Sequence, residues 1–474
     1  MEINGFNIIN NDLFRSIGRC SDELQIKCFV IGGFVRDKIL NLKSPKDIDI
    51  LAIGDGIKLA KKVSDFLNLK NQPTIYKNFG TAAFCYKGYE IEFVGSRSES
   101  YNYKSRNPTV KPGSLDDDLN RRDFTINSIG ICLNHENWGE IIDKFNGLKD
   151  IKNKLIKTTI DPLKTFSDDP LRMLRAIRFS CQLNFKIDQK SIEGIKLERI
   201  RIKIISQERI TDEINKILMT KKPSIGFRAL DNTGLLELIF PELNKLKGIE
   251  EIQGLKHKDN FFHTLEVLDN LCKTSNNLWL RWAALLHDIG KFKTKKFIKK
   301  TGWTFHGHEL VGSKMVKNIF KRFKMPLNHK LKYVQNIIFL SSRPIILSED
   351  YVSDSAVRRL IFDAGDQIDD LMKLCEADIT TKNPERFKKY LGNFSKVRKK
   401  IIEVEKRDKI RNFQPPVTGK EIMEYFNIKP GREIGILKEF IKSSILDGKI
   451  TNDYKSARSL MIKKGIEIGL KKKQ

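Results

Sequence analysis

A strand, a double-glycine turn and a helix start follow one another within residues 28–37, and this run constrains the fold more than any other stretch. Residues 29–31 form an apolar run typical of a buried strand, and they lead into Gly32 and Gly33. Glycines at such a turn let the backbone approach a ligand closely, and the following helix supplies partial positive charge at its start. The stretch therefore predicts a phosphate-binding turn that suits a triphosphate.

Two aspartates lie in the next predicted strand, at residues 46–50. Side chains at i and i+2 of a strand share a face, so Asp47 and Asp49 project together while Ile48 and Ile50 enter the core. Paired carboxylates repel each other unless a cation lies between them, and Mg²⁺ commonly bridges protein carboxylates to phosphates. A solvated strand end is the ordinary explanation for an isolated acid pair. The glycine turn just upstream favours a catalytic site for two Mg²⁺ ions instead, in which one ion activates an attacking hydroxyl and the other steadies the leaving pyrophosphate.

These two motifs, Gly-Gly-x-Val-Arg-Asp and Asp-x-Asp, resemble the head of the nucleotidyltransferase superfamily. The resemblance is to the class II branch, which contains CCA-adding enzymes and bacterial poly(A) polymerases. It implies an α/β nucleotidyltransferase head, with a mixed sheet and helices, followed by an all-α neck, an HD domain and a helical tail. We expect the head at residues 1–150, the nucleotide- and RNA-binding neck at 151–250, the HD domain at 251–385 and a basic, tRNA-binding body and tail at 386–474.

Two further motifs resemble the nucleotide-binding motifs of the same family. Arg122 and Asp123 belong to an R-R-D triplet, in which guanidinium groups suit phosphate oxygens and a carboxylate suits a ribose hydroxyl. A proline at a first helical position predicts that a helix starts here, and the i, i+3 spacing of Asp169 and Arg172 predicts that they share one face of it. An ordinary ion pair between them is the alternative. The resemblance implies that Asp169 and Arg172 contact the base of CTP or ATP and that Asp123 contacts the ribose. It implies contacts to the phosphates from Gly32, Gly33, Arg36 and Arg122.

A hairpin is predicted at residues 82–94, and it offers a third carboxylate for the magnesium site. Glu90 and Glu92 share one face of its second strand, and we favour Glu92 over Glu90 as the metal ligand. A solvated hairpin face is the alternative. The polar residues 95–119 that follow predict a mobile loop.

The composition points to a polyanionic partner. The 474 residues carry a formal net charge of +28, and lysine and arginine gain affinity for nucleic acids by displacing counterions from phosphates. A general lysine bias accounts for part of this excess. Seven scattered cysteines without a C-x-x-C pair predict reduced core residues, and no apolar run reaches the ~18 residues of a membrane span. We therefore expect a cytoplasmic protein that binds no membrane.

Six of the seven histidines fall within residues 257–329. The segments around His263, His287 and Asp288, together with Asp378, resemble the HD metal-dependent phosphohydrolase fold. Imidazole and carboxylate ligands suit a divalent metal with open positions for phosphate and water. We expect these four residues as ligands of a second divalent metal, and His308 as a contact to metal or substrate. The alternative is a relic HD fold that only supports RNA binding.

Together, these resemblances imply an enzyme that adds CCA to the 3′ end of tRNA by two-metal phosphoryl transfer. CTP and ATP would be the substrates, pyrophosphate would leave, and Asp47 and Asp49 would hold Mg²⁺ as the catalytic residues. A poly(A) polymerase or a partial enzyme that adds only CC or only A are alternatives within the family. An HD phosphohydrolase with a vestigial head is the alternative from another class.

Overall fold

The computed structural model describes residues 4–42, 46–76, 80–100, 109–349 and 353–471, apart from the side chain of Glu349. The chain divides into two compact units, Met1–Pro241 and Glu242–Gln474. The finer division into four domains stays a prediction. Within the described ranges, no helix has both the length and the apolar character needed to cross a membrane.

The first unit contains a mixed sheet and many helices. Its strands are β1 (Lys27–Ile31), β2 (Asp47–Ile53), β3 (Thr74–Tyr76), β4 (Thr81–Tyr86), β5 (Tyr89–Gly95), β6 (Arg97–Ser100), β7 (Thr109–Pro112), β8 (Gly130–Cys132), β9 (Ile141–Ile142), β10 (Leu155–Ile156) and β11 (Lys186–Ile187). Its helices are α1 (Gly5–Ile9), α2 (Asp12–Glu23), α3 (Gly33–Ile39), α4 (Gly56–Phe66), α5 (Leu115–Asn120), α6 (Gly147–Lys152), α7 (Pro162–Asp168), α8 (Leu171–Leu183), α9 (Gln189–Glu198), α10 (Gln207–Leu218), α11 (Ser224–Asn232) and α12 (Leu235–Ile239), with 3₁₀ turns at Thr125–Asn127 and Arg199–Ile204.

Seven of the described strands form one sheet in the order β3-β4-β5-β2-β1-β8-β9. Strand β2 pairs antiparallel with β1 and parallel with β5. Because side chains alternate along a strand, Ile48 and Ile50 are buried while Asp47 and Asp49 face the other side of β2. The predicted strand, glycine turn and helix start are confirmed as β1, Gly32 and α3.

The segment predicted as a mobile loop contains regular structure. Strands β6 and β7 pair as an antiparallel ribbon, and α5 follows, with a capping box in which Ser114 and Asp117 satisfy each other's backbone N–H groups. The loop prediction is therefore wrong for these parts of residues 95–119. The remainder of that segment, residues 101–108, lies outside the described residues.

Helices α7 and α8 lie in the segment predicted as the neck, and they correct one prediction. Asp169 has extended backbone angles and precedes α8, and Pro170 caps that helix. Asp169 and Arg172 therefore do not share a helix face, because Asp169 is not helical. Further along α8, Arg178 donates to Glu213 of α10 at 2.6 Å, and this buried ion pair joins the two helices.

The second unit is largely helical. Its strands are the short pairs β12 (Glu251–Ile252) with β13 (Leu255–Lys256) and β14 (Lys296–Ile298) with β15 (Gly302–Thr304). The helices from Pro241 onward are α13 (Pro241–Asn244), α14 (Asn260–Cys272), α15 (Leu278–Leu286), α16 (Lys291–Thr294), α17 (His308–Arg322), α18 (His329–Leu340), α19 (Arg343–Glu349), α20 (Asp354–Ala364), α21 (Ile368–Ala377), α22 (Pro384–Asp408), α23 (Gly419–Phe426), α24 (Arg432–Leu446) and α25 (Tyr454–Glu467), with a 3₁₀ turn at Gly365–Gln367.

The cysteines are free thiols, and they are not all core residues. Cys85 is exposed and Cys272 is half-buried, whereas the other five are buried. The prediction of core positions is therefore wrong for Cys85. That residue lies on β4, whose pairing register places it opposite Glu90.

Candidate functional site

A cavity of about 530 Å³ in the first unit gathers most of the residues predicted for nucleotide transfer. Its walls come from the Gly32 turn, strands β2 and β5, the segment after α5 and helix α8. The lining residues are Gly32, Gly33, Phe34, Arg36, Asp37, Asp47, Ile48, Asp49, Glu90, Glu92, Arg122, Asp123, Asn127, Arg175, Arg178 and Phe179. We call this the head cavity.

Four carboxylates line one wall of the head cavity because β2 and β5 are parallel neighbours. Their register places Asp47 opposite Glu90 and Asp49 opposite Glu92. Desolvation raises the pKa of Asp49, and the Asp47 carboxylate adds to the rise while Arg122 opposes it. Desolvation and Asp49 likewise raise the pKa of Glu92. Bringing these acids together concentrates negative charge that a cation would relieve.

The Gly32 turn brings the backbone against one of these acids. Gly32 has φ +87°, and a Cβ built there would lie 3.2 Å from Asp49 Oδ2 and 3.4 Å from Arg122 Nη1. Only glycine combines that backbone conformation with so close an approach. The Gly32 N–H itself donates to the Ile129 carbonyl at 3.3 Å, so it is hydrogen-bonded within the protein.

Carboxylates hold the predicted phosphate-binding arginines in place. Arg36 is buried, and it donates to Asp37 through Nε at 2.7 Å and to the Asn127 side chain through Nη1 at 2.6 Å. Arg122 donates through Nε to Asp118 at 3.1 Å, and Asp118 also accepts from Arg121. Both arginines line the cavity, and these hydrogen bonds fix guanidinium groups whose planar geometry suits phosphate.

Asp123 is buried in the wall of the same cavity and has four hydrogen-bond donors around it. Its Oδ1 accepts from the backbone N–H of Phe124 at 2.9 Å and from Asn127 Nδ2 at 3.0 Å. Its Oδ2 lies 2.7 Å from both Nε and Nη2 of Arg175. Burial alone would raise the pKa of Asp123, but Arg175, Asn127 and Arg172 lower it to about 2.

The two residues predicted to read the base lie outside this lining. Asp169 Oδ1 accepts from the backbone N–H of Leu171 at 3.1 Å. Arg172 is buried, and its Nη2 donates to the backbone carbonyl of Arg121 at 2.6 Å. The lining of the head cavity thus groups the predicted phosphate and metal residues, and it does not include Asp169 or Arg172.

Sequence reasoning missed Arg175, Arg178 and Phe179, which line the head cavity from α8. Arginines at every third position, 172, 175 and 178, were the available signal. The Phe179 ring lies under the guanidinium groups of Arg175 and Arg178, with centroid distances of 5.4 and 4.0 Å.

A second cavity, of about 670 Å³, lies within the second unit, and we call it the HD cavity. His263 and Asp378 line it together with aromatic and cationic side chains that include Trp303, Arg386 and Tyr390. Such a lining combines possible metal ligands with groups that contact phosphates and rings.

Three donor atoms meet beside the HD cavity. His263 from α14, His287 at the end of α15 and Asp378 just after α21 place one ligand atom each within 4.8 Å of one another. His287 Nδ1 donates to the Ala284 carbonyl at 2.8 Å, which leaves Nε2 to face the acids. His263 Nε2 lies 2.9 Å from Asp378 Oδ1, and His287 Nε2 lies 3.8 Å from the same oxygen, so the two imidazoles converge on one carboxylate. This donor set fits a divalent metal.

The predicted ligand Asp288 lies beside this group of three. Its Oδ2 is 3.4 Å from His287 Nε2 and 2.7 Å from Lys291 Nζ, and its Oδ1 is 3.5 Å from His308 Nε2. Burial alone would lower the pKa of His287, but the Asp288 and Asp378 carboxylates raise it to about 9. A proton shared in this way occupies the position that a cation takes when it binds.

Three family models match the chain. The Poly A polymerase head domain matches residues 28–157, the model described as "Probable RNA and SrmB- binding site of polymerase A" matches 184–247, and the HD domain matches 260–382. An A-adding tRNA nucleotidyltransferase of Deinococcus radiodurans is 30% identical over 335 residues, which cover 68% of this chain and 74% of the relative. A Multifunctional CCA protein of Psychromonas ingrahamii is 33% identical over 313 residues, which cover 64% of this chain and 71% of the relative.

The chain belongs to the tRNA nucleotidyltransferase family. Its fold is also that of solved CCA-adding enzymes. The Bacillus stearothermophilus CCA-adding enzyme in complex with CTP aligns with TM-score 0.68 at 19% identity, covering 97% of this chain and 99% of that one. The Thermotoga maritima enzyme complexed with tRNA aligns with TM-score 0.63 at 22% identity, covering 97% and 98%. The predicted family, the α/β head followed by helical regions with an HD domain, and nucleotidyltransferase activity are thereby confirmed.

Proposed function

We propose that this tRNA nucleotidyltransferase builds CCA at the 3′ end of tRNA from CTP and ATP, with release of pyrophosphate at each step. The observation that carries the proposal is the meeting of Asp47 and Asp49 with the Gly32 turn and Arg122 in one cavity. Relatives named as A-adding and as multifunctional CCA proteins support the reaction class, and solved neighbours in complex with tRNA and with CTP support the partners.

In the proposed mechanism, Asp47 and Asp49 hold Mg²⁺, and Glu92 is the third carboxylate. The set fits because it offers oxygen donors only, and because Asp47 and Asp49 repel each other without a cation. Two Mg²⁺ ions held by these carboxylates would supply activation of the attacking hydroxyl and neutralisation of charge on the leaving pyrophosphate.

The arginines position the triphosphate in this mechanism. Arg36 and Arg122 donate to its oxygens, and their bonds to Asp37 and Asp118 reduce the freedom that each guanidinium would lose on binding. Gly32 keeps the turn open, because any side chain there would approach Asp49 and Arg122.

Base selection by protein side chains is assigned to Asp169 and Arg172. Arg172 donates to the Arg121 carbonyl, and the Asp169 carboxylate accepts from the backbone N–H of Leu171. To pair with a base, both side chains must exchange these internal bonds for bonds to the nucleotide. We therefore propose that base reading requires a local rearrangement at the start of α8.

The test uses three tRNA transcripts, which end before CCA, after the first C and after CC. Each is incubated with the protein and Mg²⁺, with CTP and ATP supplied separately and together, and the products are sized. Extension of all three to one discrete CCA end is expected. Addition of A alone or of CC alone would replace the proposal by a partial enzyme, and a long A ladder would replace it by a poly(A) polymerase.

A second activity, metal-dependent hydrolysis of phosphate esters, is proposed for the HD cavity. The convergence of donor atoms from His263, His287 and Asp378 within 4.8 Å favours it, because a site that only supported RNA binding would need no such group of metal ligands. The test is hydrolysis of a nucleoside 2′,3′-cyclic phosphate in Mn²⁺ or Ni²⁺ by the wild type, by Asp378→Asn and by the exposed-residue control His306→Ala. Loss in Asp378→Asn alone is expected. No hydrolysis by the wild type would leave the relic fold as the explanation.

A further inference from the structure

We infer that Arg175, held in place by Asp123, is the side chain that contacts the sugar hydroxyl of the incoming nucleotide. The inference rests on the proposed function and deepens it. It replaces the expectation that the Asp123 carboxylate itself accepts a bond from the ribose.

The Asp123 carboxylate has no hydrogen-bond acceptor position left. Its two oxygens accept four donors, from Phe124 N–H, Asn127 Nδ2 and the Nε and Nη2 atoms of Arg175. A carboxylate offers about four lone-pair positions, so a ribose hydroxyl could donate to Asp123 only after displacing one of these groups. Two of the four donors are buried groups of the wall, the Phe124 N–H and Asn127 Nδ2, and the other two belong to Arg175.

Arg175 has donor capacity that faces the cavity. Its side chain is 35% exposed and lines the head cavity, and its Nη1 makes no hydrogen bond to a described residue. Two of its nitrogens are fixed on Asp123, and Phe179 supports the guanidinium plane at 5.4 Å. The group is therefore oriented before a ligand arrives.

Net charge distinguishes a site for a hydroxyl from a site for a phosphate. Asp118 accepts from both Arg121 and Arg122, and Glu99 pairs with Arg121 at 3.3 Å and with Arg97 at 2.8 Å. Three guanidinium groups thus meet two carboxylates, and this cluster keeps a net positive charge suited to phosphate oxygens. Asp123 and Arg175 form a one-to-one pair, whose net charge is zero. A guanidinium neutralised in this way offers directed N–H donors to an uncharged acceptor, and a ribose hydroxyl oxygen is such an acceptor.

The experiment measures kcat/KM for CTP and for 2′-deoxy-CTP on tRNA that lacks CCA, with wild type, Arg175→Gln, Arg175→Lys and Asp123→Asn. We expect Arg175→Gln to lower the ratio of CTP to 2′-deoxy-CTP about 10-fold or more, through a loss confined to CTP. Asp123→Asn should lower the ratio as well, because it releases Arg175, and Arg175→Lys should restore part of it. Arg201→Lys is the matched control, since Arg201 is a buried neck arginine outside the cavity lining.

Two outcomes would overturn the inference. An unchanged ratio in Arg175→Gln, with a lowered ratio in Asp123→Asn, would return the ribose contact to Asp123. An equal loss for both nucleotides in Arg175→Gln and Arg175→Lys would mean that Arg175 contacts phosphate. Failure of the wild type to incorporate CTP is a separate result, because it counts against the proposed function itself. Thermal melting of each variant identifies any that is unfolded. If Arg175→Gln is unfolded, the nucleotide ratio of Arg175→Lys decides whether Arg175 contacts the sugar.

Discussion

The head cavity and the HD cavity both collect acids and cations, but they differ in how completely they form a metal site. In the HD cavity, His263, His287 and Asp378 already place three donor atoms within 4.8 Å. In the head cavity, Asp47 and Asp49 occupy alternate positions of one strand, and among the described residues they belong to no such three-donor group. The HD donors can hold a cation alone, whereas the head acids require oxygens from a substrate to complete the coordination.

The two cavities also differ in what balances their acids. In the HD cavity, Lys291 and the histidines surround Asp288 directly. In the head cavity, Arg122 and Arg36 are bonded to Asp118 and Asp37, and within the described ranges no cationic side chain is hydrogen-bonded to Asp47 or Asp49. The difference indicates that the head cavity is organised for a ligand that brings both negative charge and a metal.

The largest expected effect is a loss of nucleotide addition in an Asp49 variant, which tests the head cavity and not the HD cavity. Asp49→Asn should lower the rate of nucleotide addition about 10³-fold, because a carboxylate ligand stabilises the transition state by several kcal/mol through the metal. The measurement is single-turnover extension of tRNA in saturating CTP and Mg²⁺. Asp65→Asn, an exposed helix residue of the same unit, is the control. Retention of the wild-type rate by Asp49→Asn would remove the head cavity from the chemistry.

The HD cluster should respond to the complementary change. Asp378→Asn should weaken binding of Mn²⁺ or Ni²⁺ about 100-fold, because it removes one of three converging donors, and nucleotide addition should stay within about twofold of wild type. Calorimetry without nucleotide measures the metal binding, and His306→Ala is the control. Equal metal affinity in wild type and Asp378→Asn would contradict the comparison, since the cluster would then not be the metal site.

The sequence predicts the local parts of both cavities well. The strand, the Gly32 turn and the alternation of Asp47 with Ile48 follow from periodicities that span a few residues. The position of Asp169 was not predictable, because a proline start alone does not decide whether the preceding residue is helical. The bond between Asp123 and Arg175 joins residues 52 positions apart, and only tertiary packing brings them together.

A smaller effect is expected from replacing Asp118, the carboxylate that holds two arginines in place. Asp118 is fully buried and holds Arg121 and Arg122. Asp118→Asn should lower the free energy of unfolding by about 3 kcal/mol, because it leaves two arginines without their buried counter-charge. It should also raise the KM for CTP roughly 10-fold. Denaturant unfolding and steady-state kinetics measure both, and Asp116→Asn on the same helix is the control because Asp116 is 68% exposed. An unchanged KM would show that Asp118 does not position Arg122.

The smallest effect is a pH dependence of stability at Asp123. Its pKa falls from 3.8 to about 2 in the folded chain, so its ionised form stabilises the fold above pH 3.8 and this contribution is lost as pH falls through about 2. The difference in free energy of unfolding between wild type and Asp123→Asn should therefore be constant above about pH 5 and should shrink by about 2 kcal/mol towards pH 2. Urea unfolding at several pH values measures it. A difference that stays constant down to pH 2 would contradict the assigned pairing with Arg175.

The most direct test of the central claim is the crystal structure of the chain with Mg²⁺ and a CTP analogue that cannot be cleaved between its α- and β-phosphates. The account predicts the triphosphate at the Gly32 turn, Mg²⁺ between Asp47 and Asp49, and the guanidinium of Arg175 at the sugar hydroxyl. A nucleotide bound only in the HD cavity, with the carboxylates of Asp47 and Asp49 free of metal, would contradict it.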